Sequence, residues 1–402
     1  MRYLILLVAM LIAFSTGAEA GPAGDALTRH LYAGTFAAGD AELEQMTGAE
    51  AQAARGLLGF ASSIERLGQA LHRHGLETPE SRMLLTLPIL RLPVPPNATP
   101  EPLDYRKFRA ILQNLVMDMD KAEAALAEAG ASEVKFPIDL LKIRLDLDGD
   151  GKPSDHETLG GMMQALMRQQ GPLPADVQIA FDTADIYWLR GYMRFITAAA
   201  QFGLAHDFQA SFDKTFHVFF PRAGLPLAKD LLRPLTGNPF SEGAIGDAIA
   251  FIHLINWPVV EPERLNDARL RLLAMANLSR QSWMAARAET DNDREWLPNP
   301  KQAGAMAPLA VTDATIDGWL SVMAEFEAVL DGKKLIPHWR FDRGLNVKRM
   351  FTESQNFDLV LLITGTDAAP WLETGPISSS ADWDQLMRVF QGNFLGYAVW
   401  FN

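Results

Sequence analysis

Five acidic side chains crowd the stretch LDLDGDGKPSDHETL, residues 145–159: Asp146, Asp148, Asp150, Asp155 and Glu157. Like charges this close repel, so something should compensate them. Asp146, Asp148 and Asp150 alternate along the chain, Gly151 follows directly, and Glu157 stands six residues further on. Alternating aspartates on a tightly turning chain aim their oxygens at one centre, and a hard cation takes about six to eight oxygen ligands. Gly151 permits the backbone reversal that this needs. The alternative is an acidic turn whose aspartates satisfy their own backbone.

In order and spacing these residues resemble the EF-hand calcium loop. The resemblance implies a Ca2+ ion ligated by Asp146, Asp148 and Asp150 in the first, third and fifth positions. The carbonyl of Lys152 would serve at the seventh, Ser154 directly or through water at the ninth, and both oxygens of Glu157 at the twelfth. The segment that follows suits an exit helix: Leu159, Met162, Met163, Leu166 and Met167 recur at helical spacing, and Gly171-Pro172 ends it. One departure stands out. Pro153 occupies the eighth position, where a paired EF-hand uses a backbone N–H to bond its partner loop, and proline has none. The sequence carries no second loop. The resemblance therefore implies a solitary, mainly structural site, with the methionines as core packing. It covers about thirty residues and leaves the rest of the chain unassigned.

Other acids are weighed against it. ETDNDRE places Glu289, Asp291, Asp293 and Glu295 together, without a glycine or a closing oxygen, and reads best as a solvated loop after a helix. Asp182 and Asp185 could act as an acid pair or reach a metal, but a helix start already explains them. No two of the eight histidines stand three or four apart, which excludes H-E-x-x-H zinc chemistry. His217 and His253 lie in apolar runs and read as core groups. A nucleophile elbow, a Walker loop and a dinucleotide fingerprint are absent. All nine tryptophans but Trp188 fall between Trp257 and Trp400, where a large core is the default explanation.

The elements that must position these groups read as helices. ARGLLGFASSIERLGQALHRHG is amphipathic and closed by Gly75. LPILRLPVPPNATPEP is too rich in proline for a helix and reads as an extended surface segment. A helix is expected over 105–129 and another from Asp182, with Asp185 completing a box-like cap. Further helices are expected near 242–256, 262–289 and 313–331. ETDNDREWLPNPKQAGAMAP is a long loop and the favoured internal boundary. FDLVLLITG and FLGYAVWF read as buried strands with a helix near 382–390 between them. The expected fold is mainly α, a multi-helix globular protein with one EF-hand-like loop and a small mixed α/β C-terminal part. Residues 21–300 would form the helical region, with 301–402 packed on it.

The chain opens MRYLILLVAMLIAFSTGAEAG: Arg2, an apolar run from Tyr3 to Phe14, then Ala18-Glu19-Ala20. This is the layout of a secretory signal peptide over residues 1–20, too short to span a membrane comfortably. It implies export, to the periplasm or outside the cell, with no membrane span after cleavage. The 402-residue chain has no cysteine, which excludes thiol catalysis, thiolate metal sites and disulfides. A formal net charge of −13 without any basic run argues against nucleic acid. Two functions fit. One is a calcium-stabilised binding or scaffold protein of the cell envelope, with a polymer or protein partner. The other is a hydrolase or lyase acting on an envelope polymer, with Asp182, Asp185 or Glu289 as acid and base.

Overall fold

Periodic apolar residues set the long helices. In the computed structural model, the described residues are 21–77, 90, 92–152, 154–166, 177–228, 242–304, 311–379, 383, 387–390 and 394–401. The signal-peptide segment, Pro153, Met167 and Gly171-Pro172 lie outside them. Helices α1 (Pro22–Ala33) and α2 (Phe36–Leu43) close against α3 (Ala49–Arg73), which packs on α4 (Tyr105–Ala129). Asp104 caps α4 by accepting from the Lys107 N–H at 2.8 Å. Helix α3 runs out at Gly75, whose φ of +69° is the left-handed conformation that glycine adopts without strain. The prolines beyond it leave residues 92–102 without regular structure, as expected.

Strand β1 (Phe136–Asp139), the acidic loop and α5 (Leu159–Leu166) follow. Strand β2 (Gln178–Phe181) pairs antiparallel with β1, Phe136 opposite Phe181, and feeds α6 (Thr183–Ala205). Asp182 and Asp185 form the expected capping box at its start. After the short α7 (Gln209–Thr215) come α8 (Glu242–His253), β3 (Asn256–Pro258), α9 (Pro262–Ala288) and α10 (Asp313–Leu330). The long helices stack in succession, α4 on α6, α6 on α9 and α9 on α10. One apolar core lies beneath α1 to α4 and α6; a second, around the fully buried Trp283 and Trp319, joins α9, α10 and the C-terminus. The fold is mainly α, and no helix among the described residues is long and apolar enough to cross a membrane.

The C-terminal region is mixed. Strands β4 (Ile336–His338) and β5 (Phe341–Leu345) lead through α11 (Val347–Glu353) to β6 (Asn356–Asp358), α12 (Leu359–Thr364) and β7 (Leu372–Glu373). The antiparallel order is β4-β5-β7, while β6 pairs with β3. Two strand expectations are corrected. In FDLVLLITG only the first two residues lie in a strand; Asp358 then caps α12 by accepting from the Leu361 N–H at 2.8 Å, and Gly365 ends it. Nor is the run buried, since Ile363 is 58 % exposed. FLGYAVWF is helix α13 (Phe394–Phe401), whose Tyr397 and Phe401 meet edge to face one turn apart and enter the second core. A short apolar run does not by itself distinguish a strand from a helix. Of the helix expected near 382–390, residues 387–389 are helical and most of the remainder lies outside the described residues.

Candidate functional site: two convergent carboxylate groups

The acidic loop has a closed neck. The Leu145 N–H donates to the Glu157 carbonyl at 3.0 Å and the Leu159 N–H to the Ile143 carbonyl at 2.8 Å, with Arg144 bridging Thr158. Buried Leu145 and Leu147 root the entering strand in the main core. Helix α3 grips the first acidic position from outside. Asp146 donates its N–H to Glu65 Oε2, and its carbonyl accepts from Gln69 Nε2, both at 2.8 Å. Gly68 makes room: a Cβ there would lie 2.4 Å from Leu147 Cδ2.

Within the loop the backbone turns around the carboxylates. Asp146 Oδ1 accepts from the Gly149 and Asp150 N–H groups at 2.9 and 3.1 Å, and its Oδ2 accepts from Gly151 at 3.0 Å. Gly149 and Gly151 carry φ values of +76° and +75°, which only glycine adopts readily. Glu157 is buried; its Oε1 accepts from the Leu147 N–H at 2.8 Å and its Oε2 from the Ser154 N–H at 2.8 Å. Asp146, Asp148 and Glu157 thereby bring carboxylate oxygens within 4.8 Å of one another, a group that could hold a metal ion. Oxygens on one calcium ion, at about 2.3–2.6 Å each, can be no more than about 5 Å apart. Asp150 is exposed and its Oδ1 accepts from the Lys152 N–H at 2.7 Å. Ser154 caps the single 3-10 turn 155–157 that carries Glu157.

Two features differ from the EF-hand pattern. The chain enters through β1 and a 3-10 turn at 140–142 instead of a helix, and α5 begins two residues after Glu157 rather than at it. The likeness is confined to the loop. Met162 is buried in the main core, in keeping with a packing role. Glu65 adds a carboxylate that the local pattern does not reveal. Burial, partly offset by the Asp146 N–H and reinforced by the Asp146 charge, raises its pKa to about 7.

A second group assembles where α6 starts. Asp182, Glu289 and Glu295 place carboxylate oxygens within 4.8 Å of one another, with Asp185 beside them. Asp182 and Asp185 arrive on the capping box, and Glu289 and Glu295 on the loop after α9. That loop is fastened by Ala180 donating to the Arg294 carbonyl at 3.3 Å and by Gln302 Nε2 donating to Glu289 Oε2 at 3.1 Å. Asp185 and Glu295 are each only 1 % exposed. Burial is the largest cause in every case and pushes all four carboxyls up, Glu289 to about 8. The Asp182 and Glu295 charges add to burial in raising Glu289, since like charges this close disfavour ionisation. The reading of ETDNDRE as a solvated loop holds for Asp291 and Asp293, which pair with Lys135 at the surface. It is corrected for Glu289 and Glu295, which turn inward. Oxygens within 4.8 Å of one another also fall below the separation of about 5 Å or more between glycosidase carboxylates. The described cavities bordered by residues 202–371, 36–128 and 108–257 include none of these four acids in their walls.

The histidines divide differently from expectation. His217 is buried and burial lowers its pKa, but His253 is exposed. His206 is buried at the end of α6.

No protein-family model matches this chain, and neither does a curated protein or a solved structure. Fold and site together define a mainly α globular protein carrying two groups of acidic side chains that could hold a metal ion.

Proposed function

We propose that the loop 146–157 binds one Ca2+ ion and that the protein is a calcium-stabilised binding or scaffold protein of the cell envelope. Asp146, Asp148, Asp150, the Lys152 carbonyl, Ser154 and Glu157 would supply the ligands. The observation that carries this reading is the convergence of Asp146, Asp148 and Glu157 within 4.8 Å in a loop already wound by their own hydrogen bonds. An ion there would neutralise charges that otherwise repel. Export rests on the N-terminal pattern alone, and it would place a solitary site among the weaker, extracellular class of calcium sites. The partner would be an envelope polymer or another protein.

The test is thermal unfolding with calcium, magnesium or chelator, with calorimetric titration alongside. At ~100 times its dissociation constant calcium should stabilise the protein by about 2.7 kcal/mol. Magnesium should do much less, since it demands a smaller octahedral shell. Asp148→Ala and Glu157→Gln should lose most of the calcium gain. Asp148→Ala, which removes a charge from the empty loop, should match or exceed the wild type in chelator. An unchanged wild-type midpoint in calcium would leave the acidic turn as the better reading.

A hydrolase or lyase reading has one observation in its favour, the buried acids around Asp182 and Glu289 with their raised pKa values. We prefer the binding reading because those acids crowd within 4.8 Å of one another and border none of the three cavities described.

A further inference from the structure

Helix α12 ends against three successive side chains. His338 Nε2 lies 3.1 Å from the Leu362 carbonyl, Trp339 Nε1 donates to the Ile363 carbonyl at 2.9 Å, and Arg340 Nη1 donates to the Thr364 carbonyl at 2.7 Å. Such donors suit the last turn of a helix, whose carbonyls lack partners within it. The cap accounts for the indole N–H but not for the ring, which is 73 % exposed. The ring is held in place there. The His338 ring stacks beside it with centroids 5.9 Å apart, and the Arg340 guanidinium lies 4.9 Å from its centre.

Apolar neighbours enlarge the patch. Ile363, whose carbonyl holds the indole, is 58 % exposed, and Val360 and Leu361 of the same helix are exposed as well. The acids at the two ends of α12, Asp358 and Asp367, border the inner cavity together with Leu362, whereas Trp339, Val360 and Ile363 do not.

Charge selects what such a patch can meet. The whole chain carries −13, yet residues 333–351 hold six cations, Lys333, Lys334, Arg340, Arg343, Lys348 and Arg349, against one acid, Asp342, a net charge of +5. Lys333, Lys334 and Arg349 are paired with acids outside that segment. Arg340, Arg343 and Lys348 are exposed, and the guanidinium hydrogen bonds of the first two go to carbonyls. A fixed exposed indole, bare aliphatic side chains beside it and cations in the same segment suit a bilayer interface, with the apolar groups at headgroup depth and the cations on anionic phosphates. A second copy of this chain would set the same cations against one another across a two-fold axis. A sugar would stack on the ring but leave Val360, Leu361 and Ile363 in water.

We propose that the β4–β5 turn and α12 dock the protein on an anionic lipid bilayer, with Trp339 and Ile363 entering the interface and Arg340, Arg343 and Lys348 meeting lipid phosphates. The surface goes beyond the calcium reading and stands without it.

The experiment is vesicle flotation of the chain from Gly21 onward, in chelator. Starting there removes the apolar run from Tyr3 to Phe14, which would itself insert, and the chelator removes calcium bridges to lipid. Vesicles of phosphatidylcholine mixed with phosphatidylglycerol should carry the protein upward. Phosphatidylcholine alone should carry much less, and added salt should release it. Lys348→Gln and Arg343→Gln should each weaken binding about fivefold, the worth of one cation at such a surface. Trp339→Ala should weaken it at least about tenfold. Ile363→Asn, at an exposed side chain, should weaken it about fivefold, and it keeps the test open if Trp339→Ala does not fold. Failure of the mixed vesicles to bind the wild type overturns the proposal, as does binding that Ile363→Asn and Lys348→Gln leave unchanged. Vesicles that fail while an insoluble polysaccharide retains the wild type but not Trp339→Ala would make the ring a sugar platform and overturn it equally.

Discussion

Replacing Glu289 with glutamine should make the protein less sensitive to alkali, and the sign follows from burial. Withdrawal from water lifts the Glu289 carboxyl to about 8, whereas in an unfolded chain a glutamic acid titrates near 4.3. Between these values the folded state holds a proton that the unfolded state has released. Stability therefore falls as pH rises through that window: the contribution is fully present below about 4.3 and is lost through about 8. Each pH unit is worth about 1.4 kcal/mol, so the whole window sets a ceiling of roughly 5 kcal/mol. The expected effect is smaller. Glu289 is only half-buried, so water screens it, and the Asp182 charge is the second cause of its shift, so the two titrate as a pair. A loss of about 1–3 kcal/mol between pH 5.5 and 8.5 is the expectation. Glutamine keeps the shape but never ionises. Glu289→Gln should thus be close to the wild type at pH 5.5 and more stable at pH 8.5. Thermal unfolding of both proteins, in chelator at the two pH values, reads this directly. A difference between the proteins that does not change with pH refutes the reasoning. A cation held by Asp182, Glu289 and Glu295 would instead reward the ionised carboxylates and reverse the sign, which is why chelator is required.

Gly68→Ala would set a Cβ 2.4 Å from Leu147 Cδ2; it should cost about 1–3 kcal/mol by overpacking and weaken calcium binding, measurable by unfolding and titration on the same sample. Trp283→Ala, at a fully buried ring 4.4 Å from Phe401, should cost about 3–5 kcal/mol in thermal unfolding. Exported protein should begin at Gly21 after cleavage behind Ala20, which intact-mass measurement decides; a retained Met1 in exported material refutes it.

What the sequence made legible was what is local. The span 105–129 emerged as α4 because apolar residues recur at helical spacing throughout it. The cap at Asp182 and Asp185 was legible because a capping box spans only four residues. The ion-binding reading of 146–157 depends on oxygens that one short turn delivers, so spacing alone suggested that Asp146, Asp148 and Glu157 would meet. FDLVLLITG misled because a short apolar run fits either a strand or a helix, and this one caps itself at Asp358 and stays on the surface. Glu65 beside Asp146, and Glu289 beside Asp182, were invisible for a different reason: each pair is joined only by the packing of one helix or loop against a distant segment.

The absence of an entering helix shifts the work of positioning Asp146 onto α3. In a helix–loop–helix the first ligand is fixed by the end of its own helix. Here its N–H and carbonyl are both held by side chains of α3, Glu65 and Gln69. The two flanking leucines are driven into the core, and Gly68 leaves room for the Leu147 side chain. The loop and α3 are therefore one mechanical unit. Charge repulsion among Asp146, Asp148 and Glu157 acts against the same contacts that hold α3 to the neck, and an ion at their centre would remove that repulsion. Calcium would in this way stabilise the packing of α3 on its neighbours as well as the loop. Its structural effect should extend to the helices that share α3's core, and it should appear as slower hydrogen exchange at amides of α3 and α4 when calcium is added.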